Sequence, residues 1–323
     1  METKREKKCM RPTAGLLLLC AVMLSLAGCV KRELEIRPDE GCVAISVDWS
    51  CSGTSVRSAR YLFYNEAGSL VKEVSGLTDG FRGSLPTGTY RLVVHNTDAG
   101  HVAWRGCERY ESAEVFAQPT SFPSGYYPSE ALGCIEEPQD VFCASVCEES
   151  SVVEVRRQDT TRLSVLPSSL THRVLLRLQV DLPGGDSIRT LGGVLSGVSS
   201  GYFPGQGCAN SSWCAMSFSG VPATKGARVV YTSEMNVFGL QTTLQSVPWT
   251  NSVDIFMVLS DGTTTTGRFD LTSALQSILS TSGGAFPDDI PLDITLRLHE
   301  TVLSATVSPW DDRGTGSGDV TLD

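Results

Sequence analysis

The sequence predicts an all-β protein built from two tandem antiparallel β-sandwich domains, with one short helix in the second domain. Apolar and polar residues alternate in many short runs, as in residues 42–50, and this is the pattern of strands with one buried face. Turn signals separate these runs at intervals of about 8–12 residues, which is typical of sandwiches. Because strand and helix patterns do not alternate along the chain, a doubly wound α/β fold is not indicated.

The first 28 residues have the layout of a lipoprotein signal peptide. A basic head precedes an uncharged apolar run over residues 13–27, which Ala27 and Gly28 close. This run is about 15 residues long, shorter than the roughly 20 that a membrane-spanning helix needs. We therefore expect residues 1–28 to be cleaved off rather than to stay in the membrane.

Cys29 is the predicted lipidation site. The stretch Leu26-Ala27-Gly28-Cys29 resembles the lipobox of bacterial lipoproteins, in which the cysteine thiol receives a diacylglyceryl group and the new N-terminus is acylated. Several acyl chains together anchor a protein stably. The alternative is an ordinary signal peptide in which Cys29 is incidental.

A polar segment, residues 29–41, follows the lipidation site and is predicted to be a tether. Three charged residues in it loosely resemble the surface-export signal of Bacteroidetes lipoproteins: Lys31, Glu33 and Glu35. Together with Cys29, they predict a lipid-anchored protein of the outer membrane that is exposed at the cell surface.

The first predicted sandwich covers residues 42–160. Two β-rich runs form a hairpin over residues 59–76 around a turn that ends at Gly68, and a strong strand covers residues 89–96. Residues 117–140 contain four prolines and are predicted to form a long irregular loop.

The second predicted sandwich covers residues 161–310. Its strand patterns are 171–183, 227–240 and a hairpin over 252–271 around Asp261-Gly262. Apolar residues at helical spacing predict a helix over 270–280, capped by Asp270 or Thr272. Residues 311–323 are predicted to be a flexible tail.

The charge of the chain argues against nucleic acid as a partner. The formal net charge is −10 at pH 7, and removal of the basic signal peptide makes the remaining chain more acidic. No basic stripe offsets this charge.

Eight cysteines remain after the signal peptide and Cys29 are set aside. An even number of cysteines in an exported protein suggests disulfides, but eight cysteines allow 105 pairings. Cys208–Cys214 and Cys42–Cys51 are local candidates only. The spacing closest to that of a metal-ligand pair is Cys143-x-x-x-Cys147. No histidine lies near it in the sequence, so we expect no metal and no other cofactor. The candidates for disulfides are Cys42, Cys51, Cys107, Cys134, Cys143, Cys147, Cys208 and Cys214.

No catalytic set stands out, and we expect no enzymatic activity. Ser199 lies in a G-x-S-x-G stretch, but the Tyr-Phe-Pro sequence after it cannot begin the helix of a nucleophile elbow. His95 and His101 flank a turn and are interpreted as two surface residues. The carboxylate doublets are interpreted as solvated turn residues; they are Asp288-Asp289 and Asp311-Asp312.

Aromatic side chains that stack on sugar rings are the candidate ligand contacts. Most tryptophans fall in or beside strands, where a core position is more common. Tyr126 and Tyr127 lie on the proline-rich loop and are therefore the two candidates for contact with a ligand.

The order of elements along the chain resembles the fimbrial-anchor lipoproteins of Bacteroidales. The lipobox is followed by ISVDW, SLPTGTYRLVVHNTD, LGGVLSGVSSGYFPGQG and ATVSPWDD. The resemblance implies transthyretin-like sandwiches and a position at the base of a pilus. It also implies that a fimbrillin-like subunit joins by β-strand addition, in which an extended strand pairs with an open edge.

Two functions therefore compete. The first is a non-enzymatic, lipid-anchored subunit that anchors or assembles a fimbria-like polymer. The alternative is a surface lipoprotein that binds glycans.

Overall fold

The computed structural model describes residues 39–53, 55–76, 78–126, 132–146, 152–182, 187–225, 228–241, 251–299 and 302–309. The predicted signal peptide, Cys29 and the predicted tail lie outside these residues. Within them, no helix is long and apolar enough to cross a membrane.

The chain is nearly all β, as predicted. It contains one α-helix, α1 (Thr272–Thr281), among the described residues, and a single 3₁₀ turn (Ser50–Ser52). The strands are β1 (Glu40–Val47), β2 (Ala59–Asn65), β3 (Leu70–Ser75), β4 (Gly80–Pro86), β5 (Gly88–Asn96), β6 (Val102–Arg105), β7 (Glu114–Ala117), β8 (Pro119–Thr120), β9 (Cys134–Ile135), β10 (Phe142–Val146), β11 (Val153–Val155), β12 (Thr160–Val165), β13 (Ser168–Ser169), β14 (His172–Asp181), β15 (Ile188–Ser199), β16 (Gly201–Phe203), β17 (Cys208–Ala209), β18 (Trp213–Ser219), β19 (Val221–Lys225), β20 (Arg228–Val237), β21 (Ser252–Leu259), β22 (Thr264–Asp270), β23 (Asp289–His299) and β24 (Val302–Pro309).

Two sheets enclose the first hydrophobic core. Sheet A has the order β12-β1-β4, and sheet B has the order β13-β10-β5-β2-β3, with β11 also paired to β5. The alternation along β1 turns Val43 and Ile45 inward from sheet A, where they meet Tyr61, Phe63 and Leu92 of sheet B. The predicted hairpin over residues 59–76 is confirmed as β2 and β3.

Three further sheets and the helix surround a larger second core. Sheet C has the order β19-β20-β14-β23-β24, sheet D has the order β22-β21-β15-β18-β9-β8, and sheet E has the order β17-β16-β7-β6. Ala274, Leu275 and Ile278 of α1 pack into this core, so the predicted helix and its apolar face are confirmed. Asp270, one of the two predicted capping residues, accepts a hydrogen bond from the Thr272 N–H at 2.8 Å.

Two short strands that precede residue 136 pair with strands that come later in the chain. β7 pairs with β16, and β9 pairs with β18. The predicted irregular loop over 117–140 thus contains two short strands, because its ends pair at the edge of sheet D. The division of the chain into two domains at residue 160 stays a prediction.

Among the described strands, three pairs are parallel, whereas the sequence predicted antiparallel sheets: β1 with β12, β14 with β23, and β9 with β18. Opposite charges stand directly across the β14–β23 pair. Arg173 and Asp289 form two hydrogen bonds of 2.9 Å each, and Arg177 binds Asp293 in the same way. Such cross-strand ion pairs favour this register over a slipped one.

Candidate docking edge on sheet A

Sheet A is the part of the fold nearest to the predicted tether. Its central strand, β1, begins at Glu40 and so includes the last two residues of the predicted tether, 29–41. β12 pairs with β1 in parallel over six residues, and β4 pairs with β1 in the antiparallel direction on the other side. Any segment that joins sheet A must therefore bind at β12 or at β4.

The free edge of β12 presents unpaired backbone groups. The Cys42 N–H donates to Asp159 O at 2.8 Å, and the Asp48 N–H donates to Val165 O at 3.0 Å. Backbone groups of successive residues point to opposite sides of a strand. The odd-numbered residues of β12 therefore face β1, and the N–H and C=O groups of Arg162 and Ser164 face away from it. Within the described part of the chain, these groups have no hydrogen-bond partner.

The opposite edge, on β4, is partly covered. The same alternation directs the Ser84 carbonyl away from β1, and the Lys72 ammonium of β3 donates to that carbonyl at 3.0 Å. The Lys72 ammonium also lies 5.3 Å from the centre of the Phe81 ring. A lysine beside an edge strand hinders further pairing, so β12 is the better candidate for strand addition.

The outer face of sheet A is a shallow groove of about 650 Å³. Arg82 of β4 and Arg162 of β12 both stand opposite Ala44 of β1, so they lie on the same face, one on each side of a small residue. Polar residues toward one end of the groove are Ser46, Ser164 and Asp79, and the lining also includes Ile45, Gly80, Phe81 and Leu163.

The predicted ligand contacts are only partly described. Tyr126 is half-buried, and its ring stacks on Phe256 with 4.9 Å between ring centres and 29° between planes. Its hydroxyl occupies the space that a side chain at Gly192 would need, since a Cβ there would lie 1.9 Å from the oxygen. Tyr126 thus packs a loop onto sheet D. Its contact with a ligand stays a prediction, and Tyr127 lies outside the described residues.

Seven of the eight candidate disulfide cysteines are described, and each carries a free thiol: Cys42, Cys51, Cys107, Cys134, Cys143, Cys208 and Cys214. Cys147 lies outside the described residues. Burial raises the pKa of the thiols of Cys107, Cys134, Cys143 and Cys214. A raised pKa lowers the thiolate fraction, so these four thiols are weak nucleophiles at neutral pH. The disulfides, including the two local pairs, stay predictions.

Ser199 is the last residue of β15 and does not lie on a strand-to-helix elbow. It is fully buried, and its hydroxyl lies 2.8 Å from Gly201 O and 2.9 Å from Asn210 O, both of which can accept its hydrogen bond. Gly197 before it has φ +80° and marks the β-bulge in β15. The G-x-S-x-G stretch is therefore a structural bulge, and its serine cannot reach a substrate.

The interpretation of His95 as a surface residue is wrong. His95 is 1% exposed, its Nδ1–H donates to Asn96 O at 2.7 Å, and its ring stacks on Trp104 with 3.8 Å between ring centres. Burial lowers its pKa to about 4. The sequence could have indicated this, because His95 directly follows the apolar run Leu92-Val93-Val94, which is consistent with a fully buried strand. His101 is exposed, as expected.

The described carboxylate doublet has a structural role. The Asp289 carboxylate binds Arg173, and this ion pair lowers the pKa of Asp289. The Asp288 carbonyl accepts the Arg173 N–H at 2.7 Å. The second doublet, Asp311-Asp312, lies outside the described residues.

Comparisons with known proteins confirm the predicted resemblance and the all-β fold. The chain is 28% identical over 196 residues to the "Putative fimbrium anchoring subunit Fim4B" of Bacteroides ovatus, which is 60% of this chain and 56% of that relative. The match thus spans little more than half the length of that relative.

Two of the solved structures that match this chain are compared with it, and the first of them shares its fold. A "putative adhesin" of Bacteroides ovatus superimposes with a TM-score of 0.56 at 19% identity, over 77% of this chain and 89% of its own. The fimbrial anchor protein Mfa2 of Porphyromonas gingivalis matches with a TM-score of 0.43 at 14% identity, over 83% of this chain and 97% of its own. The model of a family described as "Domain of unknown function (DUF5119)" matches residues 28–219, more than half of the 323 residues, and the chain therefore belongs to that family.

Proposed function

We propose that this chain is a non-enzymatic, lipid-anchored subunit of the outer membrane that anchors a fimbria-like polymer by accepting a β-strand along β12. The observation that carries the proposal is the free edge of β12, where the backbone groups of Arg162 and Ser164 face away from β1. The name of the relative in Bacteroides ovatus, a fimbrium anchoring subunit, supports it.

An added strand gains both backbone and apolar contacts at this edge. Each unpaired N–H and C=O forms a ladder hydrogen bond with the incoming strand. Leu163 faces the core of sheets A and B and is only half-buried, and Leu166 just beyond β12 is 55% exposed. An apolar side chain of the incoming strand would cover Leu163 and take its remaining surface out of water.

The position of β12 also suits an anchor that bears tension. An incoming strand on β12 lies one strand away from β1, which continues into the tether and the proposed lipid on Cys29. Six residues of β12 are in register with β1. A pull along the strands loads these hydrogen bonds together rather than one after another, which resists separation.

A substitution at Ser164 tests the acceptor edge. The Ser164 N–H points away from β1, so Ser164→Pro removes a donor from the free edge without loss of a bond to β1, and proline is tolerated on edge strands. Ser164→Ala is the matched control, because it keeps the N–H. Full-length variants are expressed in the native bacterium, and the partners that co-purify from outer membranes are identified by mass spectrometry.

We expect wild type and Ser164→Ala to retain a fimbrillin-like subunit and Ser164→Pro to lose it, with all three equally resistant to urea. Retention by Ser164→Pro would show that β12 is not the acceptor. Recovery of wild type without any fimbrial partner would contradict the anchoring function itself.

The lipid anchor has its own test. Mass spectrometry of the mature protein should find Cys29 as the first residue with its sulfur in a thioether, and Cys29→Ser should leave the membrane fraction. A bare thiol at Cys29, or a Cys29→Ser protein that still sediments with membranes, would contradict lipidation.

A further inference from the structure

The outer face of sheet A places two arginines on either side of a small residue. Arg82 and Arg162 are both register partners of Ala44, and in-register side chains project to the same face. Adjacent strands are about 4.8 Å apart, so the two arginine Cα atoms are separated by roughly 10 Å. Ala44 does not fill the space between them, and the resulting groove has about 650 Å³.

These two guanidinium groups lack carboxylate partners within the described residues, although the chain as a whole is acidic. Most other described arginines pair with a carboxylate: Arg57, Arg60, Arg91, Arg105, Arg156, Arg173, Arg177 and Arg297. With a net charge of −10, carboxylates are in excess, so two unpaired arginines across one groove form a local positive site.

The remaining lining favours a ligand that is rich in hydroxyl groups. Both backbone sides of β1 are occupied by β4 and β12, so a ligand on this face meets side chains and not a strand edge. Ser46 and Ser164 offer hydroxyls, and Asp79 offers a carboxylate that accepts hydrogen bonds from hydroxyl donors.

We propose that the groove between Arg82 and Arg162 binds an acidic sugar, with its carboxylate held by the two guanidinium groups. Each guanidinium matches a carboxylate with paired N–H donors. The sugar hydroxyls contact Ser46, Ser164 and Asp79. A groove of about 650 Å³ accommodates one or two sugar units, which is within the usual range of small-ligand sites.

The test is calorimetric titration of the full mature chain with a hyaluronan tetrasaccharide, which carries one carboxylate per disaccharide. The control ligand is the same tetrasaccharide with its carboxylates reduced to alcohols. We expect only the acidic form to bind, and Arg82→Ala and Arg162→Ala each to weaken binding about tenfold or more, as for the loss of a charged hydrogen bond. Arg189→Ala, which removes an exposed arginine on β15, should bind like wild type.

Several results would overturn the proposal. Equal binding of the acidic and reduced tetrasaccharides would remove the role of the carboxylate, and unchanged binding by both arginine variants would place the site elsewhere. Binding of a glutamate-rich peptide without binding of the tetrasaccharide would assign the groove to a protein partner. Arg82 lies on β4 and not on β12, so Arg82→Ala should keep the fimbrial partner, and failure of the sugar site is thus distinguishable from failure of strand addition.

Discussion

The buried His95 makes acid stability the most direct test of this fold. Its ring is buried and stacks on Trp104, and its Nε2 atom has no hydrogen-bond partner among the described residues. Burial disfavours the charged ring and lowers its pKa from the usual 6.5 to about 4. The folded protein therefore holds His95 neutral at a pH where the unfolded chain has already bound a proton.

The sign and size of the effect follow from this difference. A base with a lowered pKa in the folded state contributes its full stability above pH 6.5, and the stability falls as the pH drops from 6.5 to about 4. At about 1.4 kcal/mol per pKa unit, the free energy of unfolding should decrease by about 3 kcal/mol across this window because of His95 alone.

The assay compares urea unfolding at pH 7.5 and pH 4.5 for wild type and His95→Phe. Phenylalanine keeps the stack on Trp104 but does not titrate. Between pH 7.5 and pH 4.5, the free energy of unfolding of His95→Phe should therefore decrease by about 2.5 kcal/mol less than that of wild type. Carboxylates titrate equally in both proteins and cancel in the comparison. His101→Phe makes the same substitution at an exposed position and serves as the matched control variant. Equal pH dependence of wild type and His95→Phe would refute the reasoning.

Three further substitutions test the packing around the sheets. Glu114 is 4% exposed and accepts hydrogen bonds from Arg105 and Asn210, so Glu114→Ala should lower the free energy of urea unfolding by about 2–3 kcal/mol, and an unchanged value would contradict the network. At Gly80 φ is +144° and a Cβ would lie 2.0 Å from Ile45 O, so Gly80→Ala should lower the unfolding midpoint by the equivalent of about 1–3 kcal/mol, whereas Gly133→Ala, which has open space, should not. Tyr126→Ala should lower the free energy of unfolding by about 1–2 kcal/mol, because the stack on Phe256 is lost. An unchanged free energy of unfolding would contradict this packing role.

The pattern of the sequence predicted the local elements well where each strand has one buried face. Alternation identified β1, β5 and β14, and turn residues placed both hairpins, because these signals depend only on neighbouring residues. β15 is a strand that the sequence patterns did not identify. It is the longest of the described strands, at 12 residues, yet its glycines disfavour a strand by propensity. Gly192 is required there because Tyr126 from a distant loop lies against it.

The candidate site was the part least accessible from sequence. Arg82 and Arg162 are 80 positions apart, and nothing local shows that both stand opposite Ala44. Nor does alternation distinguish a parallel partner from an antiparallel one, so the position of β12 beside β1 and its free outer edge came from the pairing alone.

By itself, the sequence determined that this chain is acidic and all-β, and it predicted a lipoprotein signal that ends at Cys29, since composition, alternation and the N-terminal pattern are properties of the covalent chain. Only the tertiary structure decided which strands pair, which edge stays open, that His95 is buried and that two arginines share a groove. Those features depend on contacts between residues far apart in sequence, and such contacts form only when the sheets close around their cores.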